Sequence, residues 1–174
     1  MVRKQFIHPR KGCRLPYWTY SKRQVYYITI LTRLRYRYFG EYVDRKLLLS
    51  EAGIIARDLW LTIPHHFPYI TLDEFVFMPD HMHGILIINR ELLEEDKLFN
   101  GDAGGATGIH NPMLHDNISR VIRWYKGRAT YEIRRMVGEF KWHGRFYDRI
   151  LRKNELVSVR RYIRTNPDDW QRWL

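Results

Sequence analysis

Two histidines separated by one residue, His81 and His83, and a tyrosine and an asparagine four residues apart, Tyr162 and Asn166, are the side chains whose types and spacing could do chemistry. On a strand, alternate residues share a face, so His81-Met82-His83 sets two imidazoles side by side as a bidentate site for a divalent metal. On a helix, residues four apart lie one turn above each other, so Tyr162 and Asn166 present a phenol and an amide oxygen together. An amide added to two imidazoles is a mixed nitrogen and oxygen set, which suits Mn²⁺ or Mg²⁺ better than a closed zinc site would. With a cation polarising a phosphate, Tyr162 could attack phosphorus as a nucleophile. The bland alternatives are two solvated imidazoles at a turn, a packing tyrosine, and an asparagine that ends a helix before Pro167.

The elements that must position these residues can be read from pattern. Phe75-Val76-Phe77-Met78 and Ile85-Leu86-Ile87-Ile88 flank Pro79-Asp80, which reads as strand, tight turn, strand, with the histidines opening the second strand. That pair spans about Tyr69 to Asn89. Val25-Tyr26-Tyr27-Ile28-Thr29-Ile30-Leu31-Thr32 predicts a central strand. Residues 33 to 43 read as a basic, tyrosine-rich connection. Asp44 can cap a helix through Leu47, Leu48, Ala52, Ile55, Ala56, Leu59 and Trp60, ended by Pro64. His65 and His66 follow in a polar loop and make poor ligand candidates.

Ile118, Val121, Ile122, Tyr125, Ala129, Ile133 and Met136 recur at helical spacing, after a cap at Asp116 or Asn117. The other side of this helix carries Arg120, Arg123, Lys126, Arg128, Arg134 and Arg135, a basic ridge suited to phosphate. Phe140 to Leu151, which includes Arg145, reads as a turn feeding a strand. A last helix from about Asn154 carries Leu156, Val159, Tyr162 and Ile163 until Asn166-Pro167 breaks it. Strand, helix, strand, strand, helix, strand, helix predicts an α+β fold, a ferredoxin or RNA-recognition type antiparallel sheet with helices packed on it.

Composition bounds the rest. The 174 residues fit one domain spanning 1–174, with a basic arm over 1–23 and a glycine-rich, acidic excursion over 90–114. Thirty Lys and Arg against 19 Asp and Glu give a formal charge of +11, and 15% of residues are aromatic, which suits nucleic acid as partner. A single cysteine, Cys13, excludes an internal disulfide framework, and no apolar run is long enough to span a bilayer; a cytoplasmic protein is expected.

Rival chemistries fare worse. Four residues after Tyr125 stands Ala129, and four after Tyr131 stands Arg135, neither of which ligates a metal. A histidine-triad hydrolase would need a histidine at Ile85. A metallo-β-lactamase type site would need Asp and His just after the pair, where Gly84, Ile85, Leu86 and Ile87 stand.

Taken in order, Tyr26-Tyr27-Ile28-Thr29, Val76-Phe77-Met78-Pro79-Asp80-His81-Met82-His83, Phe146-Tyr147-Asp148-Arg149-Ile150-Leu151-Arg152 and Tyr162-Ile163-Arg164-Thr165-Asn166-Pro167 resemble the IS200-class single-tyrosine (Y1) transposases of the HUH nuclease superfamily, most closely the REP-associated branch. The resemblance covers about residues 24 to 167. It implies an HUH endonuclease fold, His81 and His83 as the metal pair with Asp80 before them, Asn166 as third ligand, and Tyr162 as nucleophile. It also implies Mg²⁺ or Mn²⁺ and cleavage of single-stranded DNA beside a hairpin, through a 5′-phosphotyrosine. Monomer and homodimer both stay open. The alternatives are a non-catalytic basic nucleic-acid-binding module and a metal-dependent phosphodiesterase that uses water.

Overall fold

A computed structural model describes residues 23–43, 46–89 and 118–170; the basic arm, the 90–114 excursion, Asp44 and the caps expected at Asp116 or Asn117 lie outside these residues. Four strands form one antiparallel sheet: β1 (Arg23–Leu31), β4 (Ile70–Met78), β5 (His81–Asn89) and β6 (Tyr147–Ile150), in the order β4-β5-β1-β6. Each is rich in β-branched or aromatic residues, which pack well on a pleated surface. Between β1 and β4 comes α1 (Glu51–Leu61), and between β5 and β6 comes α3 (Ile118–Met136). In both crossovers the connected strands have another strand between them, the split β-α-β arrangement expected of a ferredoxin-like fold.

The two faces of the sheet are unequal. On one, Ile28, Ile30, Met82, Leu86 and Ile88 pack against Ala52, Ala56 and Trp60 of α1 and against Val121, Ile122, Tyr125, Ala129 and Ile133 of α3. Burying side chains of this size contributes about 1.5–3 kcal/mol each, so this layer carries most of the fold's stability. On the other face, α4 (Leu156–Trp170) lays Val159 and Ile163 on Ile85, with Leu151 beside them. His81, His83 and Ile85 share this thinner side by strand alternation.

Three local expectations are corrected. Residues 40–43 and 46–49 are not connection and helix start but paired antiparallel strands, β2 (Gly40–Val43) and β3 (Lys46–Leu49), with Tyr42 opposite Leu47. Leu47 and Leu48 continue the helical spacing by coincidence; the helix is capped by Ser50, whose Oγ accepts from the Gly53 amide at 3.1 Å. Gly40 is required there, because at φ +149° a Cβ would lie 2.1 Å from the Leu48 carbonyl oxygen. Pro64 does not end α1 but lies in the first turn of a short α2 (Ile63–His66), where no amide donor is needed. Finally, α4 runs through Pro167, with the Tyr42 hydroxyl donating to the Pro167 carbonyl at 2.5 Å. Among the described residues no helix is long and apolar enough to cross a membrane.

Candidate metal and nucleophile site

Pro79 and Asp80 form the tight turn between β4 and β5, and Met78 pairs directly with His81. Both imidazoles are buried, 5% and 7% exposed, with their rings at 80° to each other. The Nε2 atoms face one another at 3.1 Å. Each Nδ1 is engaged behind. His81 Nδ1 donates to Asp80 Oδ1 at 2.5 Å, and His83 Nδ1 lies 2.7 Å from the Tyr27 hydroxyl and 2.9 Å from the Thr29 hydroxyl. Asp80 is held in turn by Arg35, whose Nε is 2.6 Å from Oδ2.

Burial first, then the neighbouring His81 and Arg35, push the His83 imidazole down to about pKa 3, so it is neutral at neutral pH. A neutral ring that donates through Nδ1 carries its lone pair on Nε2. With hydroxyl and carboxylate partners behind each Nδ1, both Nε2 atoms can present lone pairs to one cation, and rear hydrogen bonds of this kind orient metal-bound histidines. The donor set therefore fits a divalent ion.

Tyr162 reaches the same place from α4. Its ring centroid is 5.5 Å from that of His83 and 6.4 Å from that of Tyr27, edge-on to both, and the side chain is 47% exposed. Asn166 follows one turn later on the same helix and is buried. Besides the apolar seam, two ion pairs set the rotation of α4: Arg160 bonds both oxygens of Asp73, Nε to Oδ1 at 2.9 Å and Nη2 to Oδ2 at 2.6 Å, and Arg164 bonds Glu74 through Nε at 3.0 Å. Among the described residues no group of three or more His, Cys, Asp or Glu is placed to hold a metal.

The rival phenols are placed elsewhere. Tyr125 is fully buried, donates to the Ala56 carbonyl at 3.0 Å, and has its pKa raised well above the ordinary value by burial. Tyr131 is exposed on α3, with the Arg128 guanidinium 5.8 Å from its ring centroid. Since α3 covers the opposite face of the sheet, the ridge of Arg120, Arg123, Lys126, Arg128 and Arg134 is not brought beside the histidines. Part of it is engaged locally: Lys126 donates to the His143 carbonyl at 2.7 Å, Arg134 to that of Phe140 at 2.9 Å, and Arg128 pairs with Glu132 at 2.6 Å. Arg145 is exposed in the loop before β6. His66 packs on Trp124, ring centroids 4.1 Å apart.

Three contributors were not singled out from sequence: Tyr27 and Thr29 behind His83, and Arg35 behind Asp80. Alternation does put Tyr27 and Thr29 on one face of β1. The missing information was the register, Thr29 opposite His83 and Leu31 opposite His81.

No protein-family model matches the chain. An uncharacterised protein of Haemophilus influenzae (strain ATCC 51907 / DSM 11121 / KW20 / Rd) is 29% identical over 172 residues, 95% of this chain and 92% of that one. Among solved structures, a REP-associated tyrosine transposase bound to a REP hairpin shares the fold, with a TM-score of 0.53 and 18% identity over 84% of this chain and 67% of its own.

Proposed function

We propose that this chain is a metal-dependent DNA nicking and joining enzyme, a transposase of the single-tyrosine HUH type, which acts in the cytoplasm on single-stranded DNA at hairpins resembling REP palindromes. The observation that carries this reading is the convergence on one sheet face of two imidazole Nε2 atoms 3.1 Å apart and an exposed tyrosine 5.5 Å from one of the rings. The fold shared with a transposase solved on a REP hairpin supports it.

His81, His83 and Asn166 would hold Mg²⁺ or Mn²⁺, which when bound supplies charge stabilisation at the scissile phosphate. The Tyr162 phenol gives up its proton, and its oxygen forms a bond to phosphorus. The bond from phosphorus to the 3′ oxygen breaks, and that oxygen takes a proton to become a free hydroxyl. The 5′ phosphate stays on Tyr162, conserving the phosphodiester for transfer to another 3′ hydroxyl. Arg120, Arg123, Lys126, Arg128, Arg134 and Arg145 are assigned to phosphates of the bound DNA away from the cleavage point. We read Tyr162 as acting in cis, which its ring 5.5 Å from that of His83 within one chain supports.

The test is incubation with a pool of hairpin oligonucleotides and Mn²⁺, followed by intact-mass measurement. A covalent adduct is expected that disappears with chelator and in Tyr162→Phe. A fully active Tyr162→Phe protein would overturn the assignment.

A further inference from the structure

Five consecutive exposed residues, Arg33-Leu34-Arg35-Tyr36-Arg37, follow β1. Leu34 and Arg35 both adopt left-handed backbone, φ 53° and 60°. Two adjacent side-chain-bearing residues in that region store strain, which persists only where the surroundings impose it, and such strain gathers at functional sites.

The surroundings here belong to the histidine turn. The Thr32 amide donates to the Asp80 carbonyl at 2.9 Å, and the Thr32 hydroxyl lies 2.7 Å from the Tyr36 carbonyl and 2.9 Å from that of Asp80. The Arg33 amide donates to the Lys141 carbonyl at 2.9 Å. Arg35 is bound to the Asp80 carboxylate, whose other oxygen holds His81. The turn is thus built on the residue that orients the first imidazole, with Asp80 and His81 as the two side chains between Arg35 and the candidate metal position. A merely solvated run of charge needs neither the strain nor the ties.

Around that anchored backbone stand Arg33, Arg37, Tyr36 at 57% exposure and Leu34 at 73%. Guanidinium groups flanking an exposed ring complement a chain of phosphates with unpaired bases, whereas an acidic protein surface would leave the ring without a partner. We infer that this turn grips the single-stranded nucleotides next to the scissile phosphate, with Arg33 and Arg37 on phosphates and Tyr36 stacked on a base. The inference rests on the strand-transfer reading of the site and adds which residues hold the strand there.

The experiment uses the full chain carrying Tyr162→Phe, with Mn²⁺ and two DNA probes: a blunt hairpin, and the same hairpin with single-stranded flanks containing 2-aminopurine. The flanked probe should bind more tightly and its fluorescence should be quenched. Tyr36→Ala should abolish quenching and weaken flanked binding roughly tenfold, the scale of one lost stack, with blunt binding unchanged. Tyr36→Trp should keep both, and Arg33→Gln with Arg37→Gln should remove the advantage of the flank. Equal flanked binding by Tyr36→Ala and the double arginine variant would overturn the inference, as would a parent protein indifferent to the flank. Adduct formation by the protein with Tyr162 intact separates the two ideas. An adduct with unaffected turn variants defeats only the turn, and flank-dependent losses without an adduct defeat only the catalytic reading.

Discussion

Replacing Asp80 with asparagine removes a charge and almost no volume. Both carboxylate oxygens are used, Oδ1 at 2.5 Å from His81 Nδ1 and Oδ2 at 2.6 Å from Arg35 Nε. Both partners donate, so an amide can satisfy one and must point its own N–H groups at the other. If its oxygen turns to Arg35, His81 loses the acceptor that keeps the proton on Nδ1 and the lone pair on Nε2. If it turns to His81, a neutral amide accepts more weakly than a carboxylate does. Losing such a rear partner lowers metal affinity about 10–100-fold, or about 1.4–2.8 kcal/mol. His83 is protected differently, because two hydroxyls stand behind its Nδ1, at 2.7 and 2.9 Å. Tyr27→Phe or Thr29→Val alone leaves one in place, and each should cost no more than about threefold, within the worth of one neutral hydrogen bond. The double variant should fall into the Asp80→Asn range. Calorimetric titration with Mn²⁺ reads all four variants against the parent. Parent-like affinity in Asp80→Asn, or a Tyr27→Phe loss as large as that of the double variant, would refute this account of how the imidazoles are oriented.

Other outcomes follow from packing. A Cβ on Gly84 would lie 2.7 Å from Cζ2 of Trp60, which is fully buried, so Gly84→Ala should cost about 1–3 kcal/mol and lower Tm by roughly 3–10 °C; an unchanged melt would show that Trp60 can move. Tyr125→Phe gives up only the hydrogen bond to Ala56, so it should lose about 1 kcal/mol by denaturant titration and keep full adduct formation. Arg160→Ala combined with Arg164→Ala should speed amide exchange in α4 and, because that helix carries both Tyr162 and Asn166, lower adduct formation and Mn²⁺ affinity together; parent-like exchange and adduct formation would contradict a positioning role for these arginines.

Long, strongly patterned segments were legible. The β-branched run from Val25 to Leu31 and the two runs around Pro79-Asp80 are strands, and the 3.6-residue repeat from Ile118 to Ile133 is the buried side of α3. The pairing of β2 with β3 was hidden because these strands are only four residues each, and because Leu47 and Leu48 happen to keep step with Ala52 and Ile55. Pro167 misled because a local rule about helix breaking takes no account of Tyr42 holding the carbonyl from 125 residues away. At the candidate site, spacing proposed His81, His83, Tyr162 and Asn166, and the structure brings the two imidazoles and the Tyr162 ring together. Tyr27, Thr29 and Arg35 became visible only with strand register and tertiary contact, which no local pattern encodes. The basic residues of α3 show the same limit: periodicity reveals that the helix is two-sided and says nothing about which face of the sheet it will cover.

That division between faces has a physical logic. On the proposed reading, a nucleophile that must meet a DNA strand cannot lie beneath a thick layer of helices, yet it must stay in fixed register with the two imidazoles. The face under α1 and α3 buries the large side chains, Trp60 and Tyr125 among them, and stabilises the sheet from behind. Among the described residues the face under α4 has the smaller apolar cluster, Ile85, Leu151, Val159 and Ile163 with Val25, Tyr27, Val76 and Leu156 partly buried around them, so burial holds this helix less firmly than the other layer. Directional contacts supply what the seam lacks. Arg160 on Asp73 and Arg164 on Glu74 fix the rotation of α4 over β4, and Tyr42 fixes its far end. Exposed ion pairs add little to global stability, but bidentate ones define orientation well. Tyr162 can therefore remain half-exposed and still face His83, its helix oriented by two ion pairs and one hydroxyl over a small apolar cluster rather than by a core that would have buried it.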